Sequence, residues 1–274
     1  MVSNSAVYLA RDFNSHWQWS TWEGLPYLTC SLLNNWQHGF FTQNFFPRIP
    51  EQLTLVLNPH GTVHRVRQVH GNRVLTPQEI ELSRQFSPDK SLVEGDGMIS
   101  DATAQGVWVA SADCNPILIG DVTTGRVSAI HAGWRGTAKK IVPSAIASLL
   151  KSGSNLADLR IAIGPAIAGE VYQVDAAVAV EVGSTIITNA KTKTTTTIVE
   201  ELQQLPNSPI LEDAAPDKVR LDVRRVNQIQ LEQLGISPAQ IAIAPYCTYQ
   251  HSDRFFSYRR TKEKKVQWSG IVSK

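Results

Sequence analysis

Three side chains in this sequence have the types to hold a metal or to run acid–base chemistry together: His70, Cys114 and His131. Cys114 follows His70 by 44 residues and precedes His131 by 17. His131 closes the apolar run Val127–Ile130 and is followed by Ala132-Gly133-Trp134-Arg135-Gly136-Thr137. This reads as strand, tight turn, helix, with a histidine at the strand's carboxyl end, where α/β proteins place their chemistry. Cys114 lies in Ala112-Asp113-Cys114-Asn115-Pro116, between two apolar strands, and His70 ends a strand-like stretch before Gly71. One thiolate and two imidazoles suit zinc, and three protein ligands leave a fourth position open for water or substrate. A water held there would ionise near neutrality, at a pKa of about 7. The same donors resemble a blue-copper set. Cys114 beside a histidine also reads as a nucleophile with its base, and spacing does not separate these readings. A multi-copper centre is excluded, because the chain has seven histidines and no His-x-His pair.

Strands and turns must carry these groups. Thr62 to Val69 alternates, which puts His64, Val66, Gln68 and His70 on one face of an extended segment. Gly106–Ser111, Ile117–Gly120 and Arg126–His131 are three strands in quick succession, so their pairing is expected to be largely antiparallel. A helix is expected over Thr137 to Leu150, with Lys139 and Lys140 in its first turns, where a helix disfavours cations unless an anion binds. Asp96 reads as a structural group, Asp113 as either a structural group or a support for the neighbouring Cys114, and Phe40-Phe41 as either an exposed loop pair flooring a pocket or a hydrophobic plug. Further on, Leu159–Ile163 and Ile241–Ala244 read as core strands. Asp175 and Asp222 read as N-caps of helices at Ala176–Gly183 and Val223–Leu234. The threonine-rich stretch 189–197 and the acidic, proline-containing stretch 200–216 suggest a surface excursion, and the basic stretch from Lys262 a solvated terminus.

Bulk properties bound the class. A 274-residue chain with 42% hydrophobic and 18% charged residues is a soluble globular protein, read here as one domain over 1–274. A net charge of +2 gives no argument for nucleic acid. Three scattered cysteines without a CxxC favour a reducing, cytoplasmic setting over a disulfide framework. Residues 1–10 lack the pattern of a signal peptide, and no apolar run approaches the roughly 18 residues that cross a membrane.

Gln68-Val69-His70-Gly71, Ala112-Asp113-Cys114-Asn115-Pro116, His131-Ala132-Gly133-Trp134-Arg135-Gly136, Ile163-Gly164-Pro165 and Phe256-Ser257-Tyr258-Arg259-Arg260 together resemble the laccase-domain family over about residues 38–260. Members of that family have been called polyphenol oxidoreductases, peptidoglycan editing factors and purine nucleoside phosphorylases. The resemblance implies a four-layer α/β/β/α fold with mixed, largely antiparallel sheets, shared with the catalytic domain of cytotoxic necrotising factor toxins. It implies zinc, rather than copper, on His70, Cys114 and His131. It implies a purine nucleoside phosphorylase that also acts on methylthioadenosine and deaminates adenosine, with nucleosides and phosphate as partners and a monomer or homodimer as the assembly. Arg135, Arg260 and the helix start near Gly136 are the expected phosphate donors. The alternative activity is a cysteine-type amide hydrolase acting on cell-wall precursors. The chain departs from the family pattern at Gln43, where arginine is common, with Arg48 as a substitute charge for substrate, and in Lys264-Lys265-Val266-Gln267, which replaces a glycine-arginine tail.

Overall fold

The computed structural model describes residues 16–85 and 92–274. The reading of residues 1–10 therefore lies outside the described part. Two six-stranded sheets carry the molecule. The first runs, in spatial order, Trp17–Trp22, Leu25–Cys30, His38–Phe41, Gln267–Val272, Gln105–Ser111 and Thr62–His64. The second runs Ile241–Ile243, Leu159–Ile163, Asn115–Asp121, Val127–Ala132, Gly97–Ile99 and Val74–Leu75. Most neighbours are antiparallel. Parallel pairs occur where Thr62–His64 meets Gln105–Ser111, where Val74–Leu75 meets Gly97–Ile99, and where Leu159–Ile163 meets Ile241–Ile243. The sheets are thus mixed and largely antiparallel, as expected.

The two sheets pack face to face. Leu28, Val107, Val109 and Ile271 of the first meet Met98, Leu118, Ala129 and Ala162 of the second in one buried cluster. On the outer face of the second sheet, Ile117, Ile130 and Ile161 bury Val142, Ala145, Ile146 and Leu149 of a helix, together with Leu231. On the outer face of the first, Phe41, Trp108 and Val272 bury Leu53 and Leu57 of the helix Pro50–Leu57. Helix, sheet, sheet, helix is the resulting layer order. Strands such as Asn115–Asp121 and Val127–Ala132, covered on both faces, are buried at every position. That explains why they read as continuous apolar runs.

Several elements differ from the sequence reading. Phe40 and Phe41 are fully buried strand residues, a hydrophobic plug rather than an exposed loop pair. The strand at Thr62 stops at His64. Beyond it, the Gln68 side chain takes the place of a backbone partner, bonding both the N–H and the C=O of Ala110 at 2.8 Å. The expected helix 137–150 is two helices, Trp134–Ala138 and Ile141–Lys151, broken at Lys140, whose φ of 61° is left-handed. Pro143 is the cause, since its ring would clash with the Lys139 carbonyl four residues back and it has no N–H to donate. Lys139 therefore closes a short helix, a position that favours a cation, whereas Lys140 stands at the N-cap of the next helix, where a cation is still disfavoured. Asp222 caps its helix through the Arg224 and Arg225 amides, but the Asp175 carboxylate pairs with Lys218 instead of capping. Residues 189–216 lie largely at the surface, as expected, and contain ordered elements. The helix Thr195–Gln204 buries Ile198 and Leu202 against Val182, Val219 and Val226, beside a third sheet of Gln173–Asp175, Lys218–Leu221 and Ile210–Glu212. The segment after Lys262 is not a solvated tail, because Gln267–Val272 lies inside the first sheet.

Candidate metal centre and substrate cleft

The fold brings His70, Cys114 and His131 together. One ligand atom from each lies within 4.8 Å of the other two, and no further histidine, cysteine or carboxylate among the described residues joins the group. The His70 and His131 rings meet edge-on, with centroids 4.8 Å apart. Each donor has its own support. His131 is the penultimate residue of the buried strand Val127–Ala132. Cys114 follows Asp113, held at a φ of 89°, and His70 itself has a φ of 58°. Two non-glycine residues in the left-handed region, both at one site, are strain that the surrounding bonds must hold in place.

Asp96 supplies much of that hold. It is fully buried and accepts the amides of Val69, His70 and Gly71 at 3.2, 2.9 and 2.7 Å. Its Oδ1 also accepts from His131 Nδ1 at 2.9 Å, because an ionised carboxylate has no proton to give. This fixes the His131 tautomer and leaves Nε2 for a ligand bond, the arrangement that orients metal-binding histidines. Asp113 works similarly. Its oxygens accept Thr248 Oγ1 and the Arg259 amide, each at 2.7 Å. For Asp113 this fits the supporting role beside Cys114 that the sequence offers as one alternative, whereas the bonds from Asp96 to His70 and His131 go beyond the structural role read for it.

Electrostatics favour a deprotonated thiol. Burial opposes the charge on Cys114, but the imidazoles of His131 and His70 outweigh it and lower the pKa to about 6. Burial likewise opposes the charge on His131, yet the Cys114 thiolate and Asp96 raise it to about 9. Asp96 itself is held below the usual carboxylate range: its burial is overcome by the bond from His131 and by the amides. Cys30, in contrast, is pushed up to about 11 by burial and behaves as a core thiol.

The three donors open onto a cleft of about 420 Å³, whose walls include Gln68, Ser111, Tyr258, Lys264, Val266 and Trp268. A volume of this order suits a small organic ligand. The expected substrate residues fare differently. Gln43 donates to Ser252 O at 2.9 Å, and Arg48 stacks on Trp22 and Phe45. Arg260 donates to the carbonyls of Thr248, Tyr249 and Phe255, each at 2.7 Å. None of the three lines the cleft. Arg260, expected at the substrate, is a loop clamp whose guanidinium is occupied by backbone oxygens. Arg135 stacks on Trp134 at 4.2 Å. No helix of the described residues is long and apolar enough to cross a membrane.

Comparison with known proteins follows the same outline. A family model described as "Multi-copper polyphenol oxidoreductase laccase" matches residues 49–273, shifted towards the C-terminus from the 38–260 expected. A protein of Synechocystis named purine nucleoside phosphorylase is 56% identical over 94% of this chain and 97% of its own. A protein from an unknown prokaryote named adenosine deaminase RL5 is 26% identical over 71% of this chain and 68% of its own. Among solved structures, YlmD from Geobacillus stearothermophilus superposes with a TM-score of 0.76 at 22% identity, covering 93% of this chain and 98% of that one, which is a likeness of fold.

Proposed function

Since the chain belongs to the multi-copper polyphenol oxidoreductase laccase family, we propose that it is a zinc-dependent purine nucleoside phosphorylase that also deaminates adenosine and cleaves methylthioadenosine. The observation that carries this reading is the open three-donor set at the wall of a nucleoside-sized cleft. The Synechocystis relative's name supports phosphorolysis, and the name of the RL5 relative supports deamination. A thiolate and two imidazoles fit zinc, whose bonds of about 2.0–2.3 Å are reachable from donors this close. When bound, the ion would supply Lewis acidity beside the substrate. The three free cysteines, Cys30, Cys114 and Cys247, agree with a reducing, cytoplasmic setting.

The chain's own residues have separable tasks. His131, fixed by Asp96, presents Nε2. Gln68 holds the cleft wall to Ala110, and the exposed Tyr258 ring offers a face for a purine. Phosphorolysis forms a bond from a phosphate oxygen to the sugar's anomeric carbon and breaks that carbon's bond to the base, so the leaving base nitrogen must be stabilised or protonated. The test is metal analysis of purified protein beside a nucleoside-plus-phosphate product assay. About one zinc per chain is expected, with phosphate-dependent release of adenine or hypoxanthine. Undiminished activity in Cys114→Ala and His131→Ala would overturn the reading.

A further inference from the structure

A second, smaller cavity shares Cys114 with the main cleft. Its lining includes Asn115, Gly133, Trp134, Ile167 and Tyr172, and its volume is about 30 Å³. Three features single it out. First, Asn115 is 1% exposed, and its Nδ2 donor has no partner among the described residues. A buried amide N–H without an acceptor is costly unless a ligand or water completes it. Second, both aromatic rings of the lining carry a stacked guanidinium: Arg135 lies 4.2 Å from the Trp134 ring centroid, and Arg259 lies 4.7 Å from that of Tyr172. Third, both guanidinium groups have donors to spare. Arg135 makes no side-chain hydrogen bond or ion pair with another described residue. Arg259 gives only Nη1, to Gln173 O at 2.9 Å. Asp113 lines the same cavity, but both its oxygens already accept other donors, and one of those is the Arg259 amide that fixes where the guanidinium stands.

We infer that Asn115, Tyr172, Arg135 and Arg259 form the seat for inorganic phosphate. A 30 Å³ space admits one or two water-sized atoms. Phosphate therefore enters by one or two oxygens, towards the Asn115 amide and the Tyr172 hydroxyl. Its remaining oxygens turn outward to the guanidinium groups, which do not line the cavity but stack on the rings that do, and whose planar forks match phosphate geometry. Because Cys114 borders both spaces, a phosphate in this seat lies beside a nucleoside in the larger cleft. The inference deepens the phosphorylase reading and assigns the second arginine to Arg259 rather than its neighbour Arg260.

The experiment titrates zinc-loaded, full-length protein with inorganic phosphate by calorimetry, and measures KM for phosphate and for inosine separately. Arg259→Gln, Arg135→Gln and Asn115→Asp are each expected to weaken phosphate binding about tenfold or more, as loss of a charge-assisted bond or addition of a like charge implies. Inosine KM should stay within about twofold, since its contacts lie in the other cavity. Arg259→Lys, which keeps the charge but not the fork, should recover part of the loss, and thermal unfolding of each variant separates misfolding from lost contacts. Phosphate binding that is absent in the wild type, or equal in wild type and variants, overturns the seat. Phosphate binding lost in the variants without any base release leaves the seat standing and removes the phosphorylase reading. Base release with an unchanged phosphate KM in all three variants does the reverse.

Discussion

The Asp96 carboxylate bonds the His131 ring at 2.9 Å and, through the same oxygen, the His70 amide at 2.9 Å. One buried side chain thus orients two of the three donors. Asp96→Asn keeps the shape but offers one acceptor oxygen where the native residue has two. Zinc affinity should fall roughly 10–100-fold, the usual cost of losing such a partner. Competition against a chromophoric chelator measures it, and an unchanged affinity would count against the orienting role.

Gly133 approaches the site more closely than a side chain allows. A Cβ there would stand 2.6 Å from Cys114 Sγ and 3.4 Å from His70 Cδ2. Gly133→Ala should therefore push Cys114 out of line and lower zinc content on the order of tenfold, because such sites tolerate little displacement. Inductively coupled plasma analysis of the purified variant gives the answer. Full occupancy would mean that the thiol can shift at no cost.

The Cys114–His131 pair makes a pH prediction for metal-free protein. Cys114 falls from 9.0 to about 6, so it contributes stability that is present above pH 9 and lost as pH falls through 6. His131 rises from 6.5 to about 9, so it contributes stability that is present below pH 6.5 and lost as pH rises through 9. Between 6.5 and 9 the two slopes oppose each other. Stability in chelator should be nearly flat across that window, as read from urea midpoints. A steep trend in either direction would show that the two groups do not pair.

Alkylation distinguishes the cysteines. Without metal, Cys114 should react with iodoacetamide along a curve centred near pH 6, while Cys30, held near 11 and fully buried, stays unreacted in the folded protein. Added zinc should protect Cys114. Peptide mass mapping reads each site, and rapid labelling of Cys114 in the zinc-loaded protein would argue against its being a ligand.

Much of this was legible in the sequence, for identifiable reasons. The strand-end histidine and the paired glycines around Trp134-Arg135 mark a site because few other needs require them together. The doubly covered strands showed as apolar runs. Other features depended on contacts that no local pattern encodes. Gln68 substitutes for a strand partner 42 residues away. Asp96 reads from its neighbours as no more than a structural group, because its four donors come from positions 69, 70, 71 and 131. Arg259 and Arg260 are adjacent and identical in type, and only the fold decides that one guanidinium stacks on Tyr172 while the other clamps carbonyls. Pro143 was a signal in plain view: its position four residues after Lys139 marks the helix break.

The strand Gln267–Val272 sits between His38–Phe41 and Gln105–Ser111. Ribosomes deliver those two neighbours long before the strand that joins them. Until it arrives, a nascent chain carries two bare strand edges in search of a partner. The segment Tyr258–Trp268, which walls the cleft, emerges with it. Closure of the sheet and completion of the cleft wall are therefore one event, and a chain cut short before residue 267 would lack both and be prone to aggregate.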